Sequence, residues 1–114
     1  MWTIYHNPRC SKSRQTLQLL QEQRLEPEVV LYLETPPSAQ TLKEIIAKLG
    51  TGARDLMRHG EPLYRQLNLQ DKTLSEAQLI NAMVQNPILI QRPIVVKGEK
   101  AAIGRPPEAV LELM

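Results

Sequence analysis

Apolar and polar positions alternate from Trp2 to His6 in a run rich in strand formers, and Asn7-Pro8 then breaks the pattern with turn chemistry. A first strand ending in a tight loop is expected there. Beyond the loop, Thr16, Leu17, Leu19, Leu20 and Gln23 follow without a helix breaker and place their apolar members on one helical face, with Ser11 or Ser13 available as N-cap. Pro27 ends this helix and its exit loop, and Val29-Val30-Leu31-Tyr32-Leu33 makes a second apolar, β-branched run. Strand, helix and strand at this spacing predict a parallel pair joined by a right-handed crossover.

Pro36 and Pro37 mark a loop, Ser38 can cap, and Leu42, Ile45, Ile46 and Leu49 recur at helical spacing until Gly50. Gly60 and Pro62 break the stretch from Ala53 to Leu69 into two brief helical pieces, and Ser75 to Met83 reads as another helix with Glu76 in its first turn. Ile94-Val95-Val96 and Ala101-Ala102-Ile103, separated by a turn containing Gly98, have the form of a hairpin. Pro106-Pro107 then opens a C-terminal helix carrying Val110, Leu111 and Leu113. The expected fold class is α/β: a small mixed β-sheet flanked by helices, of thioredoxin-like topology, with a helical insertion between N-terminal β-α-β and C-terminal β-β-α units.

A chain of 114 residues can bury one modest core, so residues 1–114 are read as a single domain. The formal charge of +2, with scattered Lys and Arg, lacks the basic stripe of a nucleic-acid binder. No segment approaches the roughly 20 apolar residues that span a bilayer, and the N-terminus does not resemble a signal peptide, so the expected location is cytoplasmic. No apolar stripe stands out, which makes a monomer the default expectation. The single cysteine excludes an intramolecular disulfide and a multi-cysteine metal site; no metal is expected, and Cys10 is left as either a reactive thiol or an inert buried one.

The neighbours of Cys10 favour reactivity. Pro8, Arg9, Ser11, Lys12 and Ser13 are loop and polar residues rather than core companions. A thiol just ahead of a helix gains from unpaired backbone N–H groups and the positive end of the dipole, which lower its pKa. The same N–H groups can hold an anion, and Arg14 lies one helical turn further on, where it could add charge or shape the loop. His6, ending the first strand, could hydrogen-bond the loop or tune the thiol. A dithiol oxidoreductase needs Cys-x-x-Cys, but Ser13 stands at the second position; a cysteine phosphatase needs about five residues between Cys and Arg, but only three separate Cys10 from Arg14. A monothiol enzyme acting on an oxyanion fits this spacing.

The run His6-Asn7-Pro8-Arg9-Cys10-Ser11-Lys12-Ser13-Arg14-Gln15-Thr16-Leu17 resembles the active-site loop of the glutaredoxin-linked arsenate reductases. The resemblance extends to Arg58 in Leu56-Met57-Arg58, to Glu61-Pro62 with Leu67 and Leu69, to Arg92-Pro93-Ile94-Val95-Val96 and to Gly104-Arg105-Pro106, and so covers nearly the whole chain. It implies a thioredoxin-like fold, Cys10 as nucleophile, and Arg58, Arg92 and Arg105 as ligands of the oxyanion. It also implies that Arg92-Pro93 is the cis-prolyl bond facing the site. Members with well-established arsenate activity usually carry Cys-Gly-Thr-Ser-Arg. Here Ser11-Lys12 replaces Gly-Thr, adding a side chain and a cation at the loop rim.

The activity implied is reduction of arsenate to arsenite through a covalent Cys10 adduct. With one cysteine, the second thiol must come from outside: glutathione as co-substrate, with glutaredoxin resolving the mixed disulfide, and no bound cofactor. Two alternatives stand beside it. One is a thioredoxin-fold, redox-sensing transcriptional regulator, although such proteins tend to carry a Cys-x-x-Cys pair. The other is a monothiol oxidoreductase of the same fold acting on another oxyanion or on glutathione mixed disulfides.

Overall fold

The computed structural model describes all 114 residues, which divide into two compact units: residues 1–35 with 92–114, and residues 36–91. The first is a sheet unit. Strand β1 (Trp2–His6) leads into helix α1 (Ser11–Glu22) and strand β2 (Glu28–Leu31), and the chain later returns as β3 (Ile94–Lys97) and β4 (Lys100–Ile103). The strand order is β2-β1-β3-β4. Strands β1 and β2 run parallel with Ile4 opposite Val29, and β3 runs antiparallel to both β1 and β4, with Ile4 opposite Val95 and Val95 opposite Ala102. The mixed sheet and its β-α-β and β-β arms are as the pattern predicts.

The core of this unit is Ile4, Leu20, Val95, Val110 and Leu113, all buried, with Trp2, Leu17 and Leu25 packed against it. It joins one residue each from β1, α1 and β3 to the C-terminal segment. Each such side chain contributes about 1.5–3 kcal/mol by leaving water, and Leu20→Ala would cost about 2–5 kcal/mol because the neighbouring strands cannot close the gap.

Three local expectations change. Strand β2 stops at Leu31 rather than Leu33, because the N–H groups of Glu34 and Thr35 both bond the Leu31 carbonyl, at 2.9 and 2.8 Å, and turn the chain there. The C-terminal helix, Pro107–Leu113, is 3₁₀ rather than α; Ala109 N–H bonds Pro106 O at 3.0 Å, the tight i→i+3 pattern suited to short terminal pieces. Neither Ser11 nor Ser13 caps α1. Cys10 itself occupies the N-cap position without a side-chain cap bond, and Ser13 is buried inside the first turn.

The second unit is helical. Helix α2 (Ala39–Leu49) is capped by Ser38, whose hydroxyl accepts from Thr41 N–H, and ends on Gly50 in the left-handed region at φ 72°. Helix α3 (Pro62–Gln66) is short, and α4 (Glu76–Gln85) opens with a reciprocal Ser75–Gln78 capping box. Leu42, Ile45 and Ile46 on α2 and Leu79, Ile80 and Met83 on α4 are buried. A 3₁₀ turn covers Ala53–Leu56, as a brief helical piece was expected to, and another covers Pro87–Leu89. No helix is long and apolar enough to cross a membrane.

Candidate active site

Asn7, at the end of β1, begins a turn in which Cys10 N–H bonds the Asn7 carbonyl at 3.0 Å and Arg9 N–H bonds Asn7 Oδ1 at 3.0 Å. The Cys10 carbonyl then accepts from Arg14 N–H at 3.0 Å, which starts α1. The N–H groups of the first helical turn have no carbonyl behind them inside the helix, and they meet the Cys10 sulfur. The position expected of Cys10, at the head of the helix, is therefore the one it holds.

Ser13 ties this loop to the sheet. Its Oγ accepts from Asn7 N–H at 3.0 Å and is hydrogen bonded to His6 Nδ1 at 2.6 Å. All of Ser13 is buried, as is His6. Burial holds the His6 pKa below its ordinary value, with the Arg14 charge lowering it further, so the ring stays neutral at neutral pH. Arg14 turns back over the loop, where Nη1 donates to Pro8 O at 2.8 Å. It braces the turn, and its charge acts on His6.

The cations at the sulfur come from the other end of the chain. Arg105 Nη2 approaches Cys10 Sγ at 3.5 Å, while its Nε donates to the Arg92 carbonyl at 2.8 Å. Arg92 precedes Pro93 through a cis peptide bond, as the resemblance implies, and Arg105-Pro106 is also cis. Burial pushes the Cys10 thiol up. Against it act the Ser13 N–H, the Arg92 charge, the Lys12 N–H and the Arg105 charge, and the net pKa lies below the ordinary thiol value. Sulfur, helix terminus and two guanidinium groups together favour the thiolate over the thiol. The Nε of Arg92 is buried and has no hydrogen-bond partner, whereas buried donors are ordinarily paired.

Ser11 and Lys12 are both exposed at the rim; Lys12 acts on the sulfur through its backbone. Arg58 lies in the helical unit, paired with Glu61 at 3.0 Å and donating to the Ile88 carbonyl at 3.3 Å.

Two residues in this framework were not singled out from the sequence. Gly104 bonds the Pro93 carbonyl through its N–H at 2.9 Å. A Cβ there would sit 2.5 Å from Thr16 Oγ1 and 2.8 Å from Pro93 Cγ. Only glycine lets the segment that leads from β4 to Arg105 approach α1 and Pro93 this closely. Thr16 is fully buried and returns its hydroxyl to Lys12 O at 2.8 Å, which hides its polarity inside the helix. The signal for Gly104 was its place before Arg105-Pro106, but a close approach cannot be read from one residue type.

Residues 5–113 match the model of the ArsC family. The chain is 63% identical over 112 residues to the uncharacterized protein YfgD of Escherichia coli (strain K12), covering 97% of this chain and 94% of that one. It is 49% identical to an arsenate reductase of Haemophilus influenzae, with 97% of each chain covered. Among solved structures, an arsenate reductase from Vibrio cholerae superposes with a TM-score of 0.97 at 52% identity, covering 99% of this chain and 97% of that one. The match runs nearly from end to end in both sequence and structure, and on that ground this chain belongs to the ArsC family and shares the thioredoxin-like fold of its members.

Proposed function

We propose that this protein is a glutathione- and glutaredoxin-dependent arsenate reductase with Cys10 as nucleophile. The observation that carries the reading is the thiol at the head of α1 with Arg105 Nη2 3.5 Å from its sulfur and a lowered pKa. The relatives called arsenate reductases support the choice of substrate.

Arsenate enters the cradle as an oxyanion, taking hydrogen bonds from the backbone N–H groups of the first turn and from Arg92 and Arg105. The Cys10 thiolate attacks arsenic, forming an S–As bond while one arsenate oxygen leaves as water after protonation. The fixed donors stabilise the charge without reorganising. Glutathione thiolate then attacks the Cys10 sulfur. A disulfide forms, the S–As bond breaks, and its electron pair leaves with arsenic, which departs as arsenite. Two sulfurs are thereby oxidised by one electron each, and arsenic gains two. A glutaredoxin thiolate attacks the glutathione sulfur of the mixed disulfide and frees the Cys10 thiolate. This cycle suits the cytoplasm, where glutathione keeps thiols reduced.

Arsenate-dependent NADPH oxidation, coupled through glutathione reductase with glutathione and glutaredoxin present, tests the assignment. Wild type should turn over and Cys10→Ser should lose on the order of 10⁴-fold or more, as enzymes do on losing a nucleophile. Wild-type turnover no greater than that of Cys10→Ser would overturn it.

A further inference from the structure

Thr16 is fully buried in α1, and its hydroxyl donates to the Lys12 carbonyl at 2.8 Å. Serine and threonine often bond the carbonyl four residues back, which satisfies the hydroxyl at a small cost to the helix. What sets this bond apart is the other end of the same peptide unit. The Lys12 carbonyl and the Ser13 N–H belong to one planar amide. Cys10 holds the N-cap position, where a side chain faces the N–H groups of the second and third helical residues, here Lys12 and Ser13. We propose that Thr16 is a positioning residue for the nucleophile: its hydroxyl, fixed to the Lys12 carbonyl, orients and polarises the amide whose N–H end faces the Cys10 sulfur. The inference deepens the function proposed above and rests on its choice of Cys10 as nucleophile.

Three observations support it. The first is the weight of that amide. Burial raises the Cys10 pKa, and among the groups that lower it the Ser13 N–H comes first, ahead of the Arg92 charge. A carbonyl that accepts a hydrogen bond makes the N–H of its own amide a stronger donor, the more so away from water. The second is that Ser13 is held from its side chain too, since its Oγ accepts from Asn7 N–H at 3.0 Å and is hydrogen bonded to His6 Nδ1 at 2.6 Å. One end of the residue is tied to β1, and its amide is set by Thr16.

The third is the room made for the hydroxyl. A Cβ on Gly104 would come within 2.5 Å of Thr16 Oγ1 and 3.1 Å of its methyl carbon. The bare glycine leaves Thr16 its rotamer, and Gly104 leads directly to Arg105, whose Nη2 lies 3.5 Å from the sulfur. Thr16 thus packs between the turn that presents the N–H groups and the segment that presents the guanidinium.

The test is the pH dependence of Cys10 alkylation by iodoacetamide. Thr16→Val keeps the shape and loses the hydroxyl. Its midpoint should rise by about 0.5 pH unit, with about threefold less thiolate below the midpoint and an unchanged plateau, as expected if a charge-assisted bond loses roughly a tenth to a third of its strength. Thr16→Ser keeps the hydroxyl and should keep the midpoint. Thr16→Ala can only leave space, and it should match Thr16→Val, so the measurement does not depend on valine being accommodated. The Ser13 amide proton should move upfield in the valine and alanine variants and stay in place in the serine one. Arg92 and Arg105, the charged groups at the sulfur, are present in all three variants, as are His6, which bonds Ser13, and Arg14, whose charge acts on His6. A purely structural Thr16 would lower stability and leave the alkylation midpoint alone. Wild-type midpoints in Thr16→Val and Thr16→Ala, or a midpoint in Thr16→Ser that rises as far as theirs, would overturn the proposal. These readings use no arsenate, so absent arsenate turnover would sink the substrate assignment alone. A wild-type midpoint in Thr16→Val beside normal arsenate turnover would sink the role of Thr16 alone.

Discussion

Arg54 in the helical unit and Arg92 in the sheet unit are both half-buried, and they are treated in opposite ways. Arg54 commits its terminal nitrogens: Nη1 donates to the Tyr64 hydroxyl at 2.7 Å and to Leu69 O at 2.5 Å, and Nη2 donates to Asp71 O at 2.9 Å. Its backbone carbonyl meets His59 Nε2 at 2.8 Å, and the His59 ring stacks on Tyr64 at 4.7 Å. The guanidinium ties the 3₁₀ turn at Ala53–Leu56 to α3 and to the loop after it. Arg92 keeps a buried Nε with no partner and lends its charge to a thiol. A guanidinium with its terminal nitrogens bonded ties a fold together, whereas one with a buried, unpartnered Nε near a thiol fits the ligand role proposed for Arg92.

The contrast is sharpest in the guanidinium that touches the sulfur. Arg105→Ala should lower kcat/KM by about 10²–10³-fold, the usual loss when one preorganised donor to a developing oxyanion is removed. The midpoint of Cys10 alkylation should also move to higher pH, since one of the charges favouring thiolate is gone. The fold should survive, because Arg105 is exposed. An unchanged midpoint would mean that Arg105 acts on the substrate alone.

Arg54→Ala should do the reverse. Stranding Tyr64, Leu69 and Asp71 should destabilise by about 2–3 kcal/mol in denaturant titration, as loss of a charged partner from part-buried groups does. The Cys10 alkylation midpoint should not move. A shifted midpoint with intact stability would erase the distinction between the two arginines.

Smaller still is a pH effect at His6. Burial lowers its folded pKa, so near pH 6 the unfolded chain binds this proton more readily than the folded one. The contribution of neutral His6 is fully present above about pH 6.5, the unfolded value, and is lost as pH falls through the folded one. Unfolding of wild type and His6→Gln, compared at pH 8 and pH 5.5, should show wild type losing more of its stability on acidification. Equal losses would mean that His6 titrates normally.

The sheet unit was the more legible of the two from sequence, and the reasons are local. Period-two alternation marks β1 without ambiguity, and one hydrophobic face marks α1, so the residue between them is placed at a helix head by its neighbours alone. The Ser13 hydroxyl was misplaced because a serine near a helix start reads as a cap. Here it is inside the first turn and satisfies Asn7 N–H and His6 instead, a choice made by a buried histidine seven residues earlier. Arg92 and Arg105 were named from the family resemblance; only the β3–β4 pairing, Ile94 opposite Ile103, carries both to one place. In the helical unit, caps at Ser38 and Ser75 follow directly from residue type, while the bonds of Arg54 depend on turns at 67–73 that carry no periodic signal.

The central claim is that Cys10 is an activated thiolate, and the rate of its alkylation by iodoacetamide as a function of pH tests this most directly. Because Cys10 is the only thiol in the chain, the rate reports on it alone. The rate should rise with pH to a plateau whose midpoint lies clearly below about 8.5, the free-thiol value. A midpoint at or above that value would contradict the claim, because burial would then outweigh the helix terminus and both arginines.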